Sequence, residues 1–239
     1  MYSKLDFHKE FQNYAMNHLG VTGMQFYAMD NLQQQMYSNV MVPMNYQTPY
    51  IIEEREMRVT QMDIFSRLMM DRILYLSGVV HDQMSSIVST QLLFLNSLDT
   101  DLDITIYIDS PGGSVKSGLT IVDTMGMINC DVKTINTGMA ASMGSILLGA
   151  GTKGKRAALE NSRVMLHQLS HGVQGNIQDT KISMTQAEIY NEKLFKLLGE
   201  YTNKDPEVVL ADATRDNWLD AEQALAYGII DEVLVKLKK

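Results

Sequence analysis

Cysteine is nearly absent: Cys130 is the single one in 239 residues. An intrachain disulfide is therefore excluded, and a reducing compartment is expected. At the start of a strand-like run, Cys130 reads as a small buried hydrophobe. Nor does any stretch approach the ~20 consecutive apolar residues that a membrane-spanning helix needs. Positive charge is also short, with 20 Lys and Arg against 28 Asp and Glu and a net charge of −8. No basic stripe exists to displace counterions from phosphates, so a nucleic-acid partner is not expected. The first residues, Met1 to His8, lack a basic segment followed by an apolar core. They do not read as a secretory signal, and a cytoplasmic protein without a membrane partner is the expectation.

Charge disappears altogether between Asn31 and Ile52, a stretch rich in Gln, Asn, Met and Tyr that includes Pro43 and Pro49. Without aliphatic periodicity it reads as no packed core element. Residues 1–50 are accordingly taken as an N-terminal extension or propeptide, and residues 51–239 as the folded domain. Apolar content of 45% and charged content of 20% suit a globular α/β domain of this length.

Regular patterning begins after Met57. A short amphipathic helix is expected over Asp63–Met70, and strands over Ile73–Leu76 and Val79–Val80. A helix follows over Asp82–Leu98, with Ile87, Gln91, Phe94 and Leu95 towards one face. Ile104–Ile108 is a β-branched strand running into Asp109-Ser110-Pro111-Gly112-Gly113, and Ser114–Asn129 is a helix. Val132–Asn136 is a further strand, then Ser142 and a helix from Ser145 to Ala150. Alternation at this spacing predicts βαβ units and a mainly parallel sheet. Lys153–Arg156 is a basic turn and Arg163–His167 a strand. Gln178–Thr202 is a long helix that projects from the core. Asp220 and Gln223 open a last helix as a capping box, Gly228 ends it, and Ile229–Val235 closes as a strand.

Ser142 draws attention by its setting, Thr137-Gly138-Met139-Ala140-Ala141-Ser142-Met143-Gly144. A hydroxyl between a strand and a helix N-terminus sits beside N–H groups that have no intrahelical partner. One segment can then supply a nucleophile and part of its oxyanion support. Serine needs a base. His8 and His18 lie in the extension, and His81 reads as a helix start. His167 ends a strand, at the same sheet edge as Ser142, and is the base that topology favours. The orienting carboxylate stays open among Asp109, Asp123, Asp179, Asp212, Asp216 and Asp220. Capping accounts for Asp220 and a solvent-facing helix position for Asp123, while Asp216 lies in a polar patch beside Trp218. Gly112-Gly113 reads as a tight turn or as bare backbone near a substrate, with the Gly113 N–H joining that of Met143 in an oxyanion hole. His167 and His171 are four apart but lack the Glu and the helix of a zinc motif, so no metal is expected.

Several segments, in order and at compatible spacing, resemble the Clp protease proteolytic subunits. They are Asp63-Ile64-Phe65-Ser66-Arg67-Leu68, Tyr107–Val115, Gly138–Gly144, Gly154-Lys155-Arg156, Asn161–Gln168 and Thr214-Arg215-Asp216. The resemblance runs from about residue 50 to the C-terminus. It implies a crotonase-like (ββα) spiral superhelix, a mainly parallel sheet and a projecting handle over about residues 168–203. It implies a triad of Ser142, His167 and Asp216, an oxyanion hole at Gly113 and Met143, and substrate pairing near Gly113 and Leu169–Gly175. It further implies two stacked heptameric rings, a tetradecamer enclosing a chamber in which unfolded protein is cut. Tyr107 and Leu234 would line clefts for an AAA+ Clp unfoldase, which uses the ATP; this chain would need no cofactor. A non-catalytic ring subunit would lack a triad residue, and a crotonase-like acyl-CoA enzyme would give this triad no role. Two departures stand out. Leu169 replaces a frequent proline, which is expected to loosen the substrate-facing loop. Thr214 replaces a frequent acidic residue, leaving Arg215 without that partner. No family motif was matched before Tyr50.

Overall fold

A computed structural model describes residues 50–55, 58–170, 172 and 175–235. The expectation for residues 1–50 lies outside them, Tyr50 apart, as do His8, His18 and His171.

Strands β1 (Tyr50–Arg55) and β2 (Arg58–Asp63) form a two-stranded sheet. Asp63 then caps α1 (Ile64–Met70), its carboxylate accepting the Phe65 and Ser66 N–H groups. Among the described residues the main sheet has seven strands: β3 (Ile73–Ser77), β4 (Ile104–Ser110), β5 (Val132–Ala141), β6 (Arg156–Leu159), β7 (Arg163–Leu166), β8 (Asn217–Asp220) and β9 (Glu232–Leu234). Its spine runs β3-β4-β5-β6-β9, all parallel. β7 joins β5 in parallel, and β8 pairs β7 antiparallel. The α/β architecture with a mainly parallel sheet is as expected.

Helices α2 (Asp82–Leu98), α3 (Val115–Met127), α4 (Met143–Gly149), α5 (Ile177–Thr202), α6 (Pro206–Asp212) and α7 (Ala221–Tyr227) complete the described elements. Side-chain caps explain where all of them but α4 start. His81 Nδ1 accepts the Met84 N–H, Ser114 Oγ that of Ser117, and Asn176 Oδ1 those of Gln178 and Asp179. Asp220 and Gln223 form the expected capping box, and Gly228 ends α7 at φ 93°. The core lies between sheet and helices: Ile104, Ile106 and Ile108 alternate inward from β4 and meet Leu92, Leu95, Ile121 and Leu147.

Five readings need correction, the first being the expected Val79–Val80 strand, of which only an isolated bridge from Val80 to Gly113 forms. The buried face of α2 is Ser85, Val88, Leu92 and Leu95, whereas Ile87 and Phe94 are about half exposed at 50% and 48%. Both faces of that helix carry apolar side chains, so periodicity alone could not choose between them. β5 continues past Asn136 to Ala141, so the chain turns at Ser142 itself. The basic turn delivers Arg156 into the interior as the first residue of β6, where it is 3% exposed and held by Asp231. The closing strand is only Glu232–Leu234. β1, β2, β6, α6 and β8 had not been expected; each is four to seven residues long. The long helix matches its expected span within a residue. Its first half leaves Ile177, Ile182, Met184 and Ile189 exposed, and its second half buries Leu194, Phe195 and Leu198.

Candidate active site

The site grows from the way β5 changes partners. Thr134–Asn136 pairs with β6, and Met139–Ala141 pairs with β7. A register irregularity on the β4 side accompanies the change, where Asp109 Oδ1 accepts the Met139 N–H at 3.0 Å. The Ser142 N–H then donates to Met165 O at 2.9 Å, binding the end of β5 to β7.

Ser142 follows directly, at φ 54° and ψ −121°. A non-glycine residue there costs of order 1–3 kcal/mol, which surrounding structure must offset. The Ser142 carbonyl accepts from the Ser145 N–H and hydroxyl and from the Ile146 N–H, which locks the turn. Gly112 packs beneath it. A Cβ at Gly112 would lie 2.6 Å from Ser142 Cβ and 2.9 Å from the Met143 nitrogen, so only glycine fits.

His167 immediately follows β7. Its Nε2 lies 2.8 Å from Ser142 Oγ. Asp216 immediately precedes β8. The antiparallel register pairs Leu166 with Asn217, so His167 and Asp216 occupy the next rung. His167 Nδ1 is 3.6 Å from Asp216 Oδ1, a close ion-pair distance but longer than a hydrogen bond, and the carboxylate side chain is 63% exposed. The other carboxylate candidates are engaged elsewhere. Asp109 holds Met139, Asp179 sits in the first turn of α5, Asp212 accepts from Tyr227, Asp220 caps α7 and Asp123 faces solvent on α3.

Backbone donors flank the serine. Val80 bridges Gly113 in parallel fashion: the Val80 N–H donates to Gly112 O, and the Ser114 N–H to Val80 O, both at 2.8 Å. That pattern turns the Gly113 N–H away from Val80, towards the cavity that Gly113 lines with Ser142 and His167. The Met143 N–H is the first of α4. Neither N–H has a hydrogen-bond partner among the described residues. The cavity, about 200 Å³, has an apolar floor of Ile146, Leu166, Leu194, Phe195 and Leu198. Sequence reading had not connected this floor with Ser142. The signal was there in the apolar repeat 194, 195, 198 along α5, but nothing local indicates which element that stripe meets.

Tyr107 and Leu234 are not brought together within the chain. Tyr107 lies on β4 with its ring 6.3 Å from that of Tyr75, while Leu234 is on β9, three strands away, in register with Leu159. Among the described residues no cluster of His, Cys, Asp or Glu is arranged to hold a metal ion. No helix there is long and apolar enough to cross a membrane.

Comparison with known proteins gives the family. The profile of the family described as Clp protease matches residues 54–237. A protein named ATP-dependent Clp protease proteolytic subunit from Bacteroides thetaiotaomicron is 46% identical over 227 residues, covering 95% of this chain and 99% of the relative. A Porphyromonas gingivalis protein of the same name is 46% identical over 230 residues, covering 96% and 99%. One from Bacteroides fragilis is 50% identical over 191 residues, covering 80% and 92%. At 95% coverage, most of residues 1–50 has a counterpart in the first relative, although no family motif was matched there. The chain belongs to the Clp protease family, with its crotonase-like fold, and is a serine peptidase.

Proposed function

We propose that this chain is the endopeptidase core subunit of an ATP-dependent Clp protease, cutting unfolded polypeptide into short peptides. The observation that carries the site assignment is the 2.8 Å approach of His167 Nε2 to Ser142 Oγ beside two unpartnered N–H groups. Ser142 Oγ attacks the scissile carbonyl as His167 takes its proton. The oxygen that becomes negative is received by the Gly113 and Met143 N–H groups. His167 then returns the proton to the leaving amine, and water repeats the cycle on the acyl-enzyme. Asp216 orients the imidazole and stabilises its protonated form; its 3.6 Å separation closes when charge develops on the ring. The apolar floor takes an apolar side chain next to the cut bond.

The exposed apolar side chains on the first half of α5 support self-association through that helix. Two stacked heptameric rings, a cytoplasmic setting and an AAA+ Clp unfoldase that spends the ATP complete the reading, with no cofactor in this chain. The test is Ser142→Ala in the assembled protein. Hydrolysis of a short fluorogenic peptide and labelling by a fluorophosphonate should both vanish while assembly persists. Labelling retained at another residue overturns the assignment.

A further inference from the structure

Leu169 was expected to loosen the segment after His167, because it stands where proline is frequent. The geometry is the opposite. Leu169 has the N–H that proline lacks, and it donates this to Asn191 Oδ1 at 3.0 Å, in a half-buried setting. Asn191 is on α5. Counting on by three, four and seven residues gives Leu194, Phe195 and Leu198, the part of the cavity floor that α5 supplies. These positions share one face of a helix. The stripe of α5 that floors the cavity therefore begins with a polar hook, and the hook holds backbone two residues beyond His167.

We propose that Asn191 is a positioning residue for the reaction at Ser142. By fixing the Leu169 N–H to α5, it holds the chain leaving β7 at the setting that brings His167 Nε2 to 2.8 Å from Ser142 Oγ. The same bond keeps Leu169 and Ser170 on the rim of the cavity, which both residues line. A frequent proline at 169 cannot make this bond, so the device belongs to the pairing of Leu169 with Asn191. The inference rests on reading Ser142 and His167 as nucleophile and base.

The test uses the assembled full-length chain. Asn191→Ala and Leu169→Pro remove the bond from opposite sides. Each should slow fluorophosphonate labelling of Ser142 and lower kcat for a short fluorogenic peptide by about fivefold, the rate equivalent of one ordinary hydrogen bond, with KM little changed. The double variant should lose no more than either single one, because both delete the same interaction. Asn191→Asp, which keeps an oxygen at Oδ1, should restore the rate. Should Asn191→Ala fail to assemble, Leu169→Pro and Asn191→Asp carry the test. Multiplying losses in the double variant, Asn191→Asp as slow as Asn191→Ala, or a loss confined to KM each overturns the proposal. Failure of the underlying reading is separate: Ser142→Ala would then still be labelled.

Discussion

Gly113→Ala is the most searching perturbation of the candidate site. Gly113 adopts φ +147°, where L side chains are strained, and its Cα faces the Val79–Val80 backbone. A Cβ would lie 2.3 Å from Val80 O, 2.8 Å from the Val80 nitrogen and 3.0 Å from Val79 Cγ1. Both Val80 atoms are backbone, fixed by hydrogen bonds to Gly112 and Ser114. No rotamer change relieves the overlap, so the Gly113 peptide itself must move by about 1 Å to regain normal contact. A displacement of that size costs about 10²-fold in rate when it misplaces a catalytic group. Loss of one oxyanion donor costs a similar about 10²–10³-fold, or roughly 3–4 kcal/mol. The expected result is a kcat about 10²-fold below wild type on a short fluorogenic peptide, with KM changed much less, because the donor acts on the developing oxyanion. Gly154→Ala is the matched control. Gly154 also has positive φ, at +86°, but a Cβ there meets nothing within 4 Å. It shares the backbone strain without the clash and should retain full activity. Assembled Gly113→Ala protein within threefold of the wild-type kcat would refute the assignment of its N–H to the oxyanion.

Two further expectations concern charge. Asp216→Asn should lower kcat by about 10²-fold, short of the about 10⁴-fold found where the orienting carboxylate is buried, because water screens a group that is 63% exposed; a loss under threefold would move the orienting role elsewhere. Asp231→Asn should lower the apparent Tm by about 6–12 °C, since it strips the charge partner from a guanidinium that is 3% exposed, at about 3 kcal/mol and 2–4 °C per kcal/mol. The Tyr201 and Gly228 carbonyls that also bind Arg156 keep that figure at the low end. Burial pushes the Asp231 carboxyl upward, but hydrogen bonds from Arg156 outweigh it and hold the group below the ordinary carboxylate range. A depressed folded value means that this stabilisation is complete above about pH 5 and is lost progressively as pH falls from the ordinary carboxylate range to the folded value. A denaturation series showing the Asp231 contribution fading between pH 5 and 7 would contradict that sign.

Local signals carried far along this chain. The caps at Asp63, Ser114 and Asp220 and the left-handed Gly228 bound their helices where the sequence predicts, because each acts within four residues. β4 was legible because Ile104, Ile106 and Ile108 alternate over a full strand. β6 and β8 were not: four residues give two positions per face, and β6 opens on an arginine whose partner, Asp231, lies 75 residues away. The same range limit divides the site. Ser142 and His167 were readable from the ends of two parallel strands. Asp216 was not separable from Asp109, Asp179 and Asp212 by the residues alone, since its place depends on β8 turning back against β7. The resemblance supplied that choice, and the apolar floor from α5 escaped both.

Why the carboxylate precedes its strand while the serine and histidine follow theirs is a matter of strand direction. β5 and β7 run parallel, so Ser142 and His167 emerge at one edge of the sheet. β8 runs against β7, so its N-terminal end meets the C-terminal end of β7. Only a residue just before β8 can reach His167; one just after it would sit at the opposite edge, where Asp220 caps α7 instead. The pairing spans four rungs, from Arg163 with Asp220 to Leu166 with Asn217. So short a ladder is weakly specified by its own side chains. Its far end is pinned by the capping box, which commits Asp220 to the N-cap of α7. A slip of one residue would set Arg215 or Asn217 opposite His167, a cation or a neutral amide in place of the carboxylate. The helix cap at one end of β8 thus fixes the charge that faces the imidazole at the other.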